Sequence, residues 1–117
     1  MQFVLVIHHG TFPLPGTPKA ETITEEERKD VYAGWAAINK MDNVQGGPPL
    51  SLPQNAMTVR VQNGETITAE GTYQGTTVGG FLLVEAEDLD AAIAIASSVP
   101  QARLGGAVEV RPSEKYW

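Results

Sequence analysis

Two segments of the sequence are apolar on both faces, and they restrict the possible folds more than any other feature. Phe3–Ile7 and Phe81–Val84 each consist of consecutive apolar residues. Successive side chains of a strand point to opposite faces, so both strands must be covered on two sides. Two helices are predicted below, and two helices can cover only one face of one sheet. We therefore expect a homodimer in which sheet-to-sheet contact covers the second face.

A first helix is predicted from about residue 25 to about residue 40. Thr24 and Glu27 have the spacing of a capping box, in which each side chain accepts a hydrogen bond from the other residue's backbone N–H. One apolar stripe follows at three- and four-residue spacing: Val31, Trp35 and Ile38. The helix should pack this stripe against the sheet.

The segment 57–70 has the pattern of a β-hairpin. Apolar and polar residues alternate from Met57 to Gln62, as is typical of a strand. Asn63-Gly64 comes next, and both residues tolerate the positive φ of a type I′ turn. We expect Thr66–Glu70 to be the returning strand.

The remaining elements complete a ferredoxin-like α+β fold. A second helix is predicted over residues 89–98 with Asp88 as its N-cap, and a closing strand over residues 107–111. With a short strand near Val44–Leu52, and with the hairpin regarded as an insertion, the order is β-α-β-β-α-β. The chain of 117 residues fits a single domain, residues 1–117.

The composition argues against several classes of partner. The formal net charge of −6 opposes binding to the phosphates of nucleic acids. No apolar run approaches the roughly 18–20 residues that span a bilayer, so no membrane partner is expected. The absence of cysteine excludes disulfides and thiolate-based metal sites. The N-terminal apolar run is too short for a signal peptide, which favours the cytoplasm.

Four short segments occur in an order and spacing that are more specific than any one segment alone. They are Val59–Gly64, Gly79–Glu85, Asp88–Ala92 and Gly106–Pro112. In this order they resemble the YCII-related family, in the subgroup named for an Asp-Gly-Pro-Phe motif. The position of that motif holds Glu70-Gly71-Thr72-Tyr73, which keeps a carboxylate, the glycine and an aromatic ring but loses the proline.

The resemblance implies a dimeric α+β barrel with a cleft beside the sheet. It also implies two functional themes, which are chemistry on small organic substrates and regulatory association with alternative sigma factors. The prototype branch of the family is proposed to use a His–Asp pair with the histidine on the first helix. Residues 25–40 contain no histidine, so that role does not transfer to this chain.

Two histidines at the end of the first strand are candidate catalytic residues. His8 and His9 should point to opposite faces, so at most one of them can face a given cleft. Either can be a general base or a ligand, since imidazole titrates near neutral pH, or only a strand-end residue bonded to a loop. No spacing of histidines and carboxylates completes a metal site and no cofactor motif occurs, so neither a metal nor a cofactor is expected.

Glu70 and Tyr73 are candidates because they occupy the position of the family motif. Glu70 can serve as a base and Tyr73 as a hydroxyl donor to an oxyanion. The alternative is a solvated Glu70 and a packed Tyr73 ring with an exposed tip. The most specific expectation is that Glu70 and one of the histidines face the same cleft, where the carboxylate stabilises the imidazolium of a histidine base.

Three further residues are candidate binding residues. Arg60 and Arg111 can hold a substrate carboxylate, although Glu109 lies on the same face of the last strand as Arg111 and offers an ordinary surface pair. Trp35 and its neighbour Tyr32 are expected to pack between helix and sheet, with an aromatic pocket wall as the alternative.

These features favour a small-molecule cleft between the sheet, the first helix and the proline-rich loop 10–20. The expected ligand is a small organic acid, and the expected chemistry, if the protein is an enzyme, is cofactor-free proton transfer in an isomerisation or elimination. The alternative is a non-catalytic regulatory or protein-interaction module of sigma-factor-type transcription control. The sequence leaves open whether the protein is an enzyme.

Overall fold

The computed structural model describes residues 1–116 and has a mixed α+β architecture. The strands are β1 (Gln2–His8), β2 (Val44–Gly46), β3 (Met57–Gln62), β4 (Glu65–Glu70), β5 (Val78–Glu85) and β6 (Ala107–Pro112). The helices are α1 (Glu25–Asn39), α2 (Leu89–Ser97) and α3 (Pro100–Arg103), with short 3-10 helices at Pro18–Glu21, Pro53–Asn55 and Tyr73–Gly75. Trp117, the last residue of the predicted domain, lies outside the described residues.

Four strands form one antiparallel sheet, in the order β2-β5-β1-β6. The central position of β1 confirms the prediction from its two apolar faces, since β5 pairs with it on one side and β6 on the other. β3 and β4 form a separate two-stranded hairpin. Without that hairpin the elements run β-α-β-β-α-β, which is consistent with a ferredoxin-like α+β fold.

The side chains of β1 divide the sheet into a buried face and an open face. Phe3, Leu5 and Ile7 are at most 3% exposed. Leu5 and Ile7 share one core cluster with Ile38 of α1 and with Ala96 of α2, so both longer helices pack on this face.

The open face carries the alternate residues of the same strands. Residues that lie directly opposite each other on neighbouring strands share a face of the sheet. Val4 of β1 lies opposite Leu83 of β5 and Arg111 of β6. Val6 of β1 lies opposite Phe81 of β5 and Glu109 of β6. We define the open face by Val4, Val6, His8, Phe81, Leu83, Glu109 and Arg111. Its apolar centre is only partly buried, and Phe81 is 49% exposed. One protomer therefore leaves an apolar sheet surface in contact with water.

Both predicted helix N-caps are confirmed. Glu27 donates its backbone N–H to Thr24 Oγ1 at 3.1 Å, and Thr24 donates its own to Glu27 Oε1 at 3.2 Å. Asp88 accepts from the backbone N–H of Ala91 at 2.9 Å. The helices end one residue earlier than predicted, at Asn39 and Ser97.

The hairpin is also confirmed, with Asn63 at φ 52° and Gly64 at φ 78° in its turn. Pairing runs from Gln62 with Glu65 to Met57 with Glu70, so the returning strand begins one residue before the predicted start. The apolar side chains of β3 are more than half exposed: Met57 57%, Val59 59% and Val61 67%. The radius of gyration is 16.1 Å, whereas a compact chain of this length has about 13 Å. The hairpin is thus an arm without a strand of the main sheet beside it.

Two sequence expectations need correction. Tyr32 was expected in the core but is 70% exposed. It precedes the fully buried Ile38 by six residues, which is about 240° around a helix, and therefore lies on another side of α1. The strand expected near Val44–Leu52 is limited to Val44–Gly46, because the prolines that follow lack the N–H that a ladder needs.

Candidate functional site

His8 lies on the open face beside Glu109 of β6. In the register of the two strands His8 pairs with Ala107 and Val6 with Glu109, so the two polar side chains are diagonal neighbours on one face. His8 Nε2 is 2.5 Å from Glu109 Oε1. The histidine side chain is 29% exposed and the glutamate 54%, so the pair can be reached by a ligand.

This geometry suits a general base. If the proton of the neutral ring is on Nε2, the Nε2–H group donates a hydrogen bond to the carboxylate. Nδ1 is then the nitrogen that can accept a proton. The carboxylate then fixes the ring orientation and stabilises the imidazolium that forms when Nδ1 takes a proton. Sequence reasoning did not identify Glu109 as the partner of His8, because it considered this carboxylate only as a partner for Arg111.

Glu70 does not form the histidine pair that the sequence suggested. It ends β4 opposite Met57 and is exposed on the hairpin arm. Within residues 1–116 no hydrogen bond or ion pair joins it to either histidine, and the carboxylate at His8 belongs to Glu109. Within a single protomer the carboxylate beside the histidine is therefore that of Glu109 and not that of Glu70.

His9 is a packed residue and not part of this pair. Its ring stacks on Phe12 with centroids 5.9 Å apart and planes at 28°. Nδ1 is buried and has no hydrogen-bond partner in the described part of the chain. Burial lowers the pKa of His9 below the ordinary value of 6.5, because it penalises the charged ring. The unfolded chain then binds this proton more readily than the folded one, so acidification below that value lowers the free energy of unfolding.

Gly79→Ala is expected to destabilise the fold by about 1–3 kcal/mol, which is typical of overpacking. A Cβ at Gly79 would overlap the His9 ring, whereas a Cβ at the neighbouring Gly80 would meet no atom within 4 Å. Urea unfolding of Gly79→Ala and of the matched control Gly80→Ala measures the difference. Equal stability of the two variants would show that the His9 ring is not held against β5.

Tyr73 lines a cavity of about 370 Å³ at the base of the hairpin. Val78 lines the same cavity and is the register partner of His8 on β5, beside a bulge in the ladder. This cavity therefore lies at the end of β5 that pairs with His8, with Tyr73 on its wall, but neither His8 nor Glu109 lines it.

The other candidates lie in three different places. Arg111 lies on the open face opposite Val4, two residues along β6 from Glu109. Arg60 lies on the exposed hairpin opposite Ile67. Trp35 is partly buried and packs against the core cluster, as the packing alternative predicted. The structure thus brings His8, Glu109 and Arg111 onto one surface and leaves Glu70, Arg60 and Trp35 elsewhere.

A second cavity, of about 490 Å³, lies between α1 and the proline-rich loop. We call it the loop–helix cavity and define it by Phe12, Pro13, Pro15, Arg28, Val31 and Tyr32. It occupies part of the predicted cleft, but neither histidine lines it. The sequence predicts one cleft that contains the proline-rich loop, the first helix and a histidine. In the structure the loop and the helix line the loop–helix cavity, whereas His8 lies on the open face.

Residues 1–116 contain neither a cluster of metal ligands nor a membrane-spanning helix. No group of three or more metal-ligating side chains lies close enough to hold an ion. No helix in that range is long and apolar enough to cross a membrane.

Comparison with known proteins identifies a family and a distant structural likeness. The model of the YCII-related domain matches residues 1–114. No curated protein matches the sequence. A solved structure of 5-chloro-2-hydroxyhydroquinone dehydrochlorinase (TftG) from Burkholderia phenoliruptrix AC1100, in complex with 2,5-dihydroxybenzoquinone, is 20% identical, covers 97% of this chain and 94% of that chain, and has a TM-score of 0.48. A likeness this distant carries no argument about activity.

Proposed function

Because this chain belongs to the YCII-related domain family, we propose that it is a small homodimeric protein that binds a small organic acid at its open face and transfers a proton on it without a cofactor. The observation that carries the proposal is the His8–Glu109 pair, 2.5 Å between Nε2 and Oε1, on a face that also presents Arg111. A base, a carboxylate to orient it and an anion-binding group therefore lie on one surface.

A second copy of the chain is the proposed cover of the open face. The centre of the face is apolar, with Val4, Val6 and Leu83 partly buried and Phe81 half exposed. Burial of such a surface is favourable by about 25 cal/mol per Å². His8, Glu109 and Arg111 supply both signs of charge around the centre, which suits a two-fold contact of the face with itself. Two sheets packed in this way form the dimeric α+β barrel that we propose as the finer fold.

The proposed reaction follows from the groups on this face. Arg111 binds the carboxylate of the acid through charge-assisted hydrogen bonds. Nδ1 of His8 takes a proton from the carbon beside a carbonyl group, and the electron pair of that C–H bond moves to the carbonyl oxygen. If a C=C bond is conjugated with the enolate, return of the proton to the far carbon of that bond gives an isomer. If the carbon next to the deprotonated one carries a leaving group, the electron pair returns from the oxygen to form a C=C bond, and the departure of that group gives elimination. The negative charge of Glu109 stabilises the imidazolium between these steps.

Deuterium exchange tests the proposal without knowledge of the natural substrate. The probes are phenylpyruvate and 2-oxobutanoate, two small acids with protons beside a carbonyl, followed by proton NMR in D₂O. The native protein should accelerate exchange, and His8→Gln should lower the enzymatic rate by about 100-fold or more, the usual contribution of a general base. Glu109→Gln should also lower it, by about 10-fold.

Glu70→Gln is the matched control for the carboxylate. It makes the same chemical change on the hairpin arm and should leave the exchange rate unchanged. A loss in Glu70→Gln with none in Glu109→Gln would favour the pair suggested by the sequence, formed across two protomers. If the native protein accelerates exchange of neither probe, proton transfer on 2-oxo acids is not its activity.

The hairpin arm supports a second candidate function, a non-catalytic regulatory or protein-interaction module of the kind associated with sigma factors. Its exposed apolar residues Met57, Val59 and Val61 form one stripe along β3. Exposed apolar stripes of this kind mark interaction surfaces. Failure of the exchange experiment, together with intact dimerisation, would make this the better interpretation.

Two finer assignments belong to the same proposal. We place the chain in the Asp-Gly-Pro-Phe subgroup, and the support is Gly71 at φ 94° in the turn after Glu70, a conformation that glycine adopts at no steric cost. We place it in the cytoplasm, as the sequence suggested.

A further inference from the structure

We propose that the loop–helix cavity is a second ligand site, which takes a small planar acid such as an aromatic carboxylate. Its volume of about 490 Å³ lies within the range of about 300–1,000 Å³ found for small-molecule sites. Apolar side chains from two segments, the proline-rich loop and α1, make up most of its wall. This inference does not rest on the proposed function of the open face.

The wall contributed by the loop is held in place before any ligand arrives. Pro13 and Pro15 have a fixed φ and present rigid rings to the cavity. Two hydrogen bonds hold the chain around these prolines. The backbone N–H of Leu14 donates to Phe12 O at 2.8 Å, and Thr17 Oγ1 donates to Leu14 O at 2.6 Å. A site that is already ordered pays less conformational entropy on binding.

Arg28 gives the cavity its charge preference. It is the charged residue of the lining, and no carboxylate within residues 1–116 forms an ion pair with it. The chain has 14 acidic residues against 8 basic ones, so this arginine does not lack a partner for want of carboxylates. A guanidinium in this setting offers a carboxylate two parallel hydrogen bonds.

Tyr32 and the prolines select a planar body for the ligand. Tyr32 lines the cavity and is 70% exposed, so its ring is accessible to a ligand. Its face can stack on an aromatic ring, and proline rings pack well against such a ring. An apolar plane that ends in a carboxylate therefore matches both the wall and Arg28.

The loop–helix cavity is separate from the open face. It is lined by α1, whose Ile38 lies in the core cluster on the buried side of the sheet. The Phe12 ring lines the cavity and also stacks on His9, with ring centroids 5.9 Å apart. The NMR signals of His9 can therefore report binding in the cavity. Occupation of the cavity should thus be visible in the ring signals of His9, without any effect on Val4 or Val6.

The experiment is an NMR titration of the full chain with phenylacetate. Saturable shifts are expected at Phe12, Tyr32 and His9, with the methyl groups of Val4 and Val6 unmoved. Arg28→Gln should raise the dissociation constant at least about 10-fold, and Arg28→Lys should restore part of the affinity. The matched control Arg60→Gln, on the hairpin arm, should bind as the native protein does. Phenylacetamide, which lacks the charge, should bind at least about 10-fold more weakly than phenylacetate.

Three results would overturn the inference. One is the absence of saturable shifts up to about 10 mM phenylacetate, well above the weakest affinities expected of a specific site. Another is equal binding by the native protein and a folded Arg28→Gln variant. The third is a set of shifts confined to Val4, Val6 and His8, which would place the acid on the open face and support the proposed function there instead.

Discussion

Val6→Asp is expected to convert the proposed dimer to a monomer, with the dissociation constant of that dimer raised at least about 100-fold. Val6 lies at the centre of the open face, between Phe81 of β5 and Glu109 of β6. In the proposed dimer a carboxylate at this position would be buried among apolar atoms and beside a second carboxylate. Burial of an unpaired charge costs several kcal/mol, which is enough to dissociate an interface of moderate affinity.

Sedimentation velocity at micromolar concentration measures this change. Ile93→Asp is the control, because Ile93 is 43% exposed on α2, the element that packs on the other side of the sheet. This control should sediment as the native protein does. If Val6→Asp sediments as a dimer, the protomers meet through another surface, and the hairpin stripe is the next one to test.

Ile38→Ala is expected to lower the free energy of unfolding by about 2–5 kcal/mol. Ile38 is fully buried, and it packs in the cluster that joins α1 to β1 and β5. Truncation removes apolar contacts and leaves a cavity that the surrounding strands cannot fill. The effect should appear as a lower urea midpoint with an unchanged slope.

Tyr32→Ala is the matched control on the same helix. Its side chain is 70% exposed, so the free energy of unfolding should change by no more than about 0.5 kcal/mol. A loss of comparable size in the two variants would mean that α1 is rotated relative to the packing described here. Such a rotation would also remove Tyr32 from the loop–helix cavity.

The features that were predicted correctly from the sequence are formed by residues that lie close together along the chain. The capping box of Thr24 and Glu27, the Asp88 cap and the Asn63-Gly64 turn are all formed by residues within a few positions of one another. The central position of β1 follows from the two apolar faces of a single segment. Each of these signals can be read locally, because the physical interaction that produces it is local.

The site was predicted less well because it depends on strand register. Alternation along β6 places Glu109 and Arg111 on one face, but the sequence does not show which residue of β1 lies beside each. In the structure Glu109 is opposite Val6 and therefore reaches His8. The family motif suggests Glu70 as the carboxylate partner of a histidine, but within residues 1–116 its strand pairs only with β3, away from β1.

The loop–helix cavity was beyond sequence reasoning for another reason. The proline-rich segment has no periodicity, so its path over α1 follows from tertiary contacts such as the stacking of Phe12 on His9. Tyr32 was assigned to the core because it adjoins the stripe in sequence, although 100° of helical rotation per residue carries it to the side where this loop lies.

The central claim is that two copies of the chain meet at their open faces, around the His8–Glu109 pair. An isotope-filtered NOE experiment on a dimer assembled from labelled and unlabelled chains tests it most directly. The account predicts intermolecular NOEs between the methyl groups of Val4 and Val6 in one protomer and the Phe81 ring or the same methyl groups in its partner. Intermolecular NOEs confined to the hairpin residues Met57 and Val59, with none from Val4 or Val6, would contradict it.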